Sequence, residues 1–125
     1  NPVMNPTQVI LNITSEDPAR LYDFYRNTLG LPAQEGMGDT AVSVAGMILI
    51  FDGHSEVKGP NRDPARYLFD MVVEDIAAEQ SALEAKGVKF IRSQGKEEWG
   101  GIISTMADPD GNYVQLMEFH PPSAE

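Results

Sequence analysis

Asp70 lies within a run of strand-forming residues, Leu-Phe-Asp-Met-Val-Val, and is the one residue in this chain to which we assign catalytic candidacy. A carboxylate in that setting can act as a general base if burial raises its pKa. A structural role competes with this. Asp70 can be held by Arg66, four residues earlier on the same strand face, or by Asn12. Three further residues, Tyr113, Gln115 and Met117, alternate along a second strand candidate. They offer an aromatic ring, an amide and a thioether on one face, a lining suited to an apolar pocket with a single orienting group. The bland alternative is side-chain packing with nothing bound. Trp99 stands in Glu-Glu-Trp-Gly-Gly between two strands, where it can form a stacking wall for a planar ligand or pack as rim.

Other chemistries find little support. The chain of 125 residues holds no cysteine, which removes disulfides, thiolate metal sites and cysteine nucleophiles together. Its two histidines, His54 and His120, fall in a linker and past the last strand, and both read as solvated loop residues. A non-haem iron site needs two histidines and a carboxylate converging with open positions. No serine lies in a Gly-x-Ser-x-Gly context, and the Gly-Met-Gly of residues 36–38 lacks the spacing and lysine of a phosphate loop. Glu118 reads as a surface or edge-strand carboxylate, and the Glu97–Glu98 pair as part of a solvated loop.

Charge narrows the partners. A formal net charge of −10 repels a phosphate backbone and an anionic bilayer, so neither nucleic acid nor membrane is an expected partner. The stretch from Ala41 to Phe51 is apolar but much too short to span a bilayer. No basic n-region followed by an apolar run opens the chain, so the expected location is the cytoplasm.

The elements that must position these residues show a repeat. Gln8–Thr14 reads as a strand with a period of two. Asp17 is a suitable N-cap and Pro18 a suitable first helical residue, with Leu21, Phe24, Tyr25 and Leu29 on one face. Gly30 and Pro32 end that helix. Strand candidates follow at Gln34–Met37, Thr40–Val44 and Met47–Phe51. After the polar stretch from Asp52 to Pro64 the pattern begins again. Arg66–Val73 is a strand, Asp75 caps a helix to about Lys86, and Gly87 stops it. Lys89–Ser93, Ile102–Met106 and Tyr113–Phe119 are the remaining strands, the last two joined by the turn Asp-Pro-Asp-Gly-Asn at residues 108–112. Asp17 and Asp75 stand 58 residues apart, and Gly30 and Gly87 stand 57 apart, which argues for an internal duplication. The expected architecture is α+β: two βαβββ modules in tandem within a single domain 1–125, with module one at 6–53, a linker at 54–65 and module two at 66–120. Each helix covers one face of its own mixed, curved sheet. The opposite faces are then free to form a cleft.

At this level the chain resembles a known group. The segment Asp-Pro-Ala-Arg-Leu-Tyr-Asp-Phe-Tyr-Arg-Asn-Thr-Leu-Gly-Leu-Pro (Asp17 to Pro32) is similar to the first helix of the vicinal oxygen chelate superfamily, which includes glyoxalases, bleomycin-resistance proteins and extradiol dioxygenases. Asp-Pro-Asp-Gly-Asn-Tyr-Val-Gln-Leu-Met-Glu (Asp108 to Glu118) resembles its closing hairpin. The resemblance covers nearly the whole chain and implies homodimers, with modules paired within one chain or across two. It also implies where a metal would be held. Those positions are Ile10, Leu68, a place near Ile48 or Ile50, and Gln115. Three of the four are apolar, so no metal and no other cofactor is expected.

Alternation then divides the side chains. Val9, Leu11 and Ile13, with Phe69, Met71 and Val73, are expected under the helices. Ile10, Asn12, Thr14, Leu68, Asp70, Val72, Tyr113, Gln115 and Met117 are expected on the opposite faces. The expected substrate-binding set is Asn12, Asp70, Trp99, Tyr113, Gln115 and Met117. Three functions fit. One is a metal-free binder of a small organic ligand. Another is a lyase, isomerase or dioxygenase of the superfamily, metal-free or with atypical ligands. The third is an interaction module.

Overall fold

Caps and stops act where the sequence places them. A computed structural model describes residues 3–120 of the chain. Its chain divides into two units between Gly59 and Pro60, inside the polar linker.

In the first unit the Asp17 carboxylate accepts from the Arg20 N–H at 3.2 Å and starts α1, Pro18–Asp23, with proline in the first turn. The helix widens into a single π turn, Phe24–Thr28, in which the Leu29 N–H donates to the Phe24 carbonyl at 2.8 Å. Strand β1 (Ile10–Thr14) lies parallel to β3 (Met47–Asp52), and β2 (Ala41–Val44) lies antiparallel to β3, in the order β1-β3-β2. The register sets Leu11 opposite Leu49 and Ile13 opposite Phe51. Phe51 packs against α1 and the turn after it: its ring stacks on Tyr25 at 5.0 Å and meets the edge of Tyr22 at 6.3 Å. Leu21, Tyr25 and Leu49 are fully buried, and each such side chain contributes about 1.5–3 kcal/mol.

Three expectations change in this unit. Val9 and Leu11 do not pack under the helix: Val9 precedes β1 and is 61% exposed, and Leu11 is exposed too. The cause is topological, because α1 packs on the central strand β3 and β1 is an outer strand, with one edge unpaired among the described residues. The candidate strand Gln34–Met37 contracts to one bridge, between Ala33 and Val42. Gly36 and Gly38 both adopt positive φ there, and a short 3-10 turn over Gly38–Thr40 takes up the chain before β2. Tyr22, outside the expected apolar stripe, is buried.

The second unit repeats the plan with one strand more. β4 (Phe69–Val72) is parallel to β7 (Tyr113–Glu118), as β1 is to β3. β6 (Ile102–Ala107) is antiparallel to both β7 and β5 (Phe90–Lys96), giving the order β4-β7-β6-β5. Helix α2, Ile76–Ala85, starts at Asp75, whose carboxylate accepts from the Ala78 N–H at 3.1 Å, and stops at Gly87 with φ +92°. Ile76, Gln80 and Leu83 of α2 are buried, as are Val114 and Leu116 of β7 and Met106 of β6. The first strand of this unit is shorter than expected. Arg66 and Leu68 precede it, because Asp63–Arg66 is drawn into a turn closed by the Arg66 N–H on the Asp63 carbonyl at 3.1 Å.

Candidate functional site

The helix-distant face of the second sheet carries most of the expected residues, and the register shows their order. Val114 and Leu116 are buried and α2 packs on β7, so Tyr113, Gln115 and Met117 point the other way. Asp70 is the register partner of Gln115, and Val72 that of Met117. Gln115 is in turn opposite Thr105, and Met117 opposite Ile103. On the outermost strand, Arg92 is opposite Thr105, after a bulge that places two β5 residues against one of β6. One polar row therefore crosses all four strands: Asp70, Gln115, Thr105, Arg92. An apolar row lies beside it, formed by Val72, Met117 and Ile103, with Gly95 at its end.

An aromatic pair borders the apolar row. Phe119 follows Met117 by two residues, and its ring lies 5.6 Å from that of Trp99. Trp99 sits in the β5–β6 hairpin, whose loop is closed by the Glu97 N–H on the Gly101 carbonyl at 2.7 Å and the Gly100 N–H on Glu97 at 2.9 Å. The indole lies over Gly101: a Cβ there would stand 1.7 Å from the ring. Only glycine lets the ring settle on the backbone, and Trp99 still keeps about half of its surface exposed, at 49%.

The polar row is held unevenly. Gln115 Nε2 donates to Thr105 Oγ1 at 3.0 Å, which fixes the amide. Arg92 is paired with the Glu97 carboxylate. Asp70 is different. Among the described residues its carboxylate has no hydrogen-bond or ion-pair partner. Arg66, one expected partner, is instead paired with Asp63 at 2.7 Å. Partial desolvation among its neighbours pushes the Asp70 carboxyl above the usual aspartate range. The folded chain thus holds this proton more tightly than the unfolded chain. Stability falls as pH rises from the ordinary aspartate value through the raised one, and stays lower above it. Asp70→Asn is therefore expected to raise the melting temperature near pH 7 by about 2 °C, a small figure because the group is partly solvated. The gain should vanish near about pH 3, where both states are protonated. Thermal scans of both proteins across that range test it.

Asn12 belongs to the first unit. It is exposed on β1 and is the register partner of Ile50, as Asp70 is of Gln115. The two histidines also have partners. His54 Nδ1 accepts from the Glu56 N–H at 3.1 Å, and His120 Nε2 lies 2.5 Å from Glu118 Oε2. Glu118 is not the simple surface carboxylate expected. Its other oxygen accepts from the Ile76 N–H at 2.8 Å and caps α2. Thr105, Arg92 and Phe119 lie beside the expected residues but outside the expected set. Phe119 was within reach of the alternation rule. Arg92 depends on the β5 bulge, which leaves no mark in the residue types.

A family model, the Glyoxalase/Bleomycin resistance protein/Dioxygenase superfamily, matches residues 7–116. The chain belongs to this superfamily. Solved structures agree in fold. A glyoxalase/bleomycin resistance protein/dioxygenase from Nocardioides superposes with a TM-score of 0.74 at 17% identity, covering 98% of this chain and 89% of that one. A superfamily member from Sphaerobacter thermophilus gives 0.72 at 22% identity, covering 94% of this chain and all (100%) of that one. A lactoylglutathione lyase from Agrobacterium tumefaciens gives 0.69 at 17% identity, covering 91% and 95%. At such identities the likeness is one of fold. No curated protein matches the chain.

Superfamily resemblance implies four metal-ligand positions. Ile10, Leu68 and either Ile48 or Ile50 carry no lone pair, and Gln115 offers one amide oxygen. That donor set does not fit a divalent cation, which needs several oxygen or nitrogen donors. Among the described residues no three His, Asp or Glu side chains are grouped to replace them. Nor does any described helix have the length and apolarity to cross a membrane.

Proposed function

We propose that this superfamily member binds a small organic molecule on the helix-distant face of its second sheet, without a metal or other cofactor. The observation that supports this is the pairing of two parallel rows, one apolar (Val72, Met117, Ile103) and one polar (Asp70, Gln115, Thr105), bordered by Trp99 and Phe119. Apolar surface supplies affinity for a flat ring, and a few fixed polar groups orient it. Trp99 and Tyr113 add faces for stacking. Asn12 presents an amide on the corresponding face of the first unit.

Trp99 is the only tryptophan, so its emission reports on this site alone. A panel of aromatic natural products and aldehyde adducts should contain compounds that both change that emission and raise the melting temperature, since a ligand of the native state stabilises it. Met117→Asp should abolish both responses. A panel without any such compound refutes the reading. Stoichiometric iron, zinc, manganese or nickel in unchelated protein would overturn its metal-free part.

One observation favours a second reading. The unpartnered Asp70, with its raised pKa, has the character of a general base for lyase or isomerase chemistry. Turnover that disappears in Asp70→Asn would establish it. The proposed state is a cytoplasmic homodimer. Exposed apolar residues on the free outer strands of the two units (Ile10 and Leu11; Val72) support the pairing. Light scattering on the purified protein tests it.

A further inference from the structure

The charges around the second sheet face suggest what kind of molecule it takes, given the binding role proposed above. Two fixed charges flank the polar row at its ends, Asp70 on β4 and Arg92 on β5. Arg92 is already neutralised by Glu97, so it offers an incoming anion little. Asp70 faces no cation among the described residues. The local balance is thus one uncompensated negative charge, and the chain as a whole carries −10, a field that draws in cations and repels anions. Next to Asp70 the face is apolar. Successive same-face residues on a strand lie about 7 Å apart, which is the depth of a two- or three-ring system. Beyond that depth stand Phe119 and Trp99, whose ring faces attract positive charge as well as apolar surface.

We propose that the ligand is an organic cation: a flat apolar body carrying a protonated amine, with its rings on Val72, Met117 and Ile103 toward the Trp99–Phe119 pair and its ammonium at Asp70. An isosteric trio tests this. Anthracenylmethylamine, anthracenylmethanol and anthracene carboxylate share a ring system and differ in charge. In calorimetric titrations at low salt the amine should bind roughly tenfold more tightly than the alcohol, and the carboxylate most weakly. Asp70→Asn should bring the amine to the level of the alcohol measured on the same variant, whereas Asp70→Glu should keep the preference. Equal binding of amine and alcohol to the native chain would overturn the proposal and leave the binding function standing. So would an amine preference that survives Asp70→Asn, since the net charge and not this carboxylate would then be its source. If none of the three binds, the binding function fails and the proposal with it.

Discussion

Asp108→Ala should lower the melting temperature by about 10 °C, or ~3 kcal/mol in a domain of this size. Asp108 is 5% exposed, and its carboxylate organises the turn between β6 and β7. One oxygen accepts from the N–H groups of Asp110 and Asn112, both at 2.9 Å, and the other accepts from the Asn112 side-chain amide at 2.8 Å. Alanine removes three acceptor contacts at once and leaves the donors inside a tight loop, where water reaches them poorly. The effect spreads beyond the turn. Asn112 Oδ1 receives the Asn61 amide at 2.8 Å, and the Asn61 N–H donates to the Asp110 carbonyl at 2.8 Å, so the start of the second unit is tied to the same loop. Asp108→Asn keeps the size and one acceptor oxygen and should cost about half as much. Denaturant titrations of the two variants check the order. Equal stability of Asp108→Ala and the native chain would show that the turn is held by its backbone alone.

Glu118→Ala is expected to cost about 2 kcal/mol. The Glu118 side chain reaches from the end of β7 to the first turn of α2 and accepts the Ile76 N–H, while Ile76 itself is 1% exposed. Truncation strands that donor at a buried helix start. Asp75 still caps Ala78, so α2 persists but its first turn frays. Hydrogen exchange should show this directly, with protection lost at the Ile76 amide before the rest of the helix. The same substitution frees His120, which now lies against the second Glu118 oxygen. Glu118→Gln retains an oxygen for the cap and gives up the carboxylate oxygen that faces His120. It should therefore fall between the two, and its closeness to the native value measures how much of the effect is the cap.

These two cases also mark how far residue types alone could lead. The Asp-Pro-Asp-Gly-Asn turn was legible because each residue there has a local backbone preference. So were Asp17 and Asp75 as caps and Gly87 as a stop, since those signals act within four residues. Alternation correctly turned Val114 and Leu116 toward the helix, because β7 is regular along its length. What escaped was set by distant partners. Glu118 caps a helix 42 residues away in sequence, and spacing along the chain carries no trace of that. Arg92 joins the polar row through a bulge in β5. Gln34–Met37 reads as strand by composition but lacks a partner beyond one bridge, with positive-φ glycines breaking the extension. Val9 has a good strand residue's shape, yet the helix that would cover it packs on a different strand.

The parallel pairing of each unit's first and last strands has a consequence for synthesis. Among the described residues β1 pairs with β3 alone, and β4 with β7 alone, so each ladder joins the beginning of a unit to its end. Neither can form while its unit is still emerging from the ribosome. The leading strand must wait, unpaired, until the trailing one is out, and such distant closures make for slow folding. For the second unit the wait lasts until Tyr113–Glu118 has cleared the exit tunnel, which requires more chain to follow or release by termination. During that interval Val72 and its neighbours are bare, and this is when a holding chaperone would have most to grip.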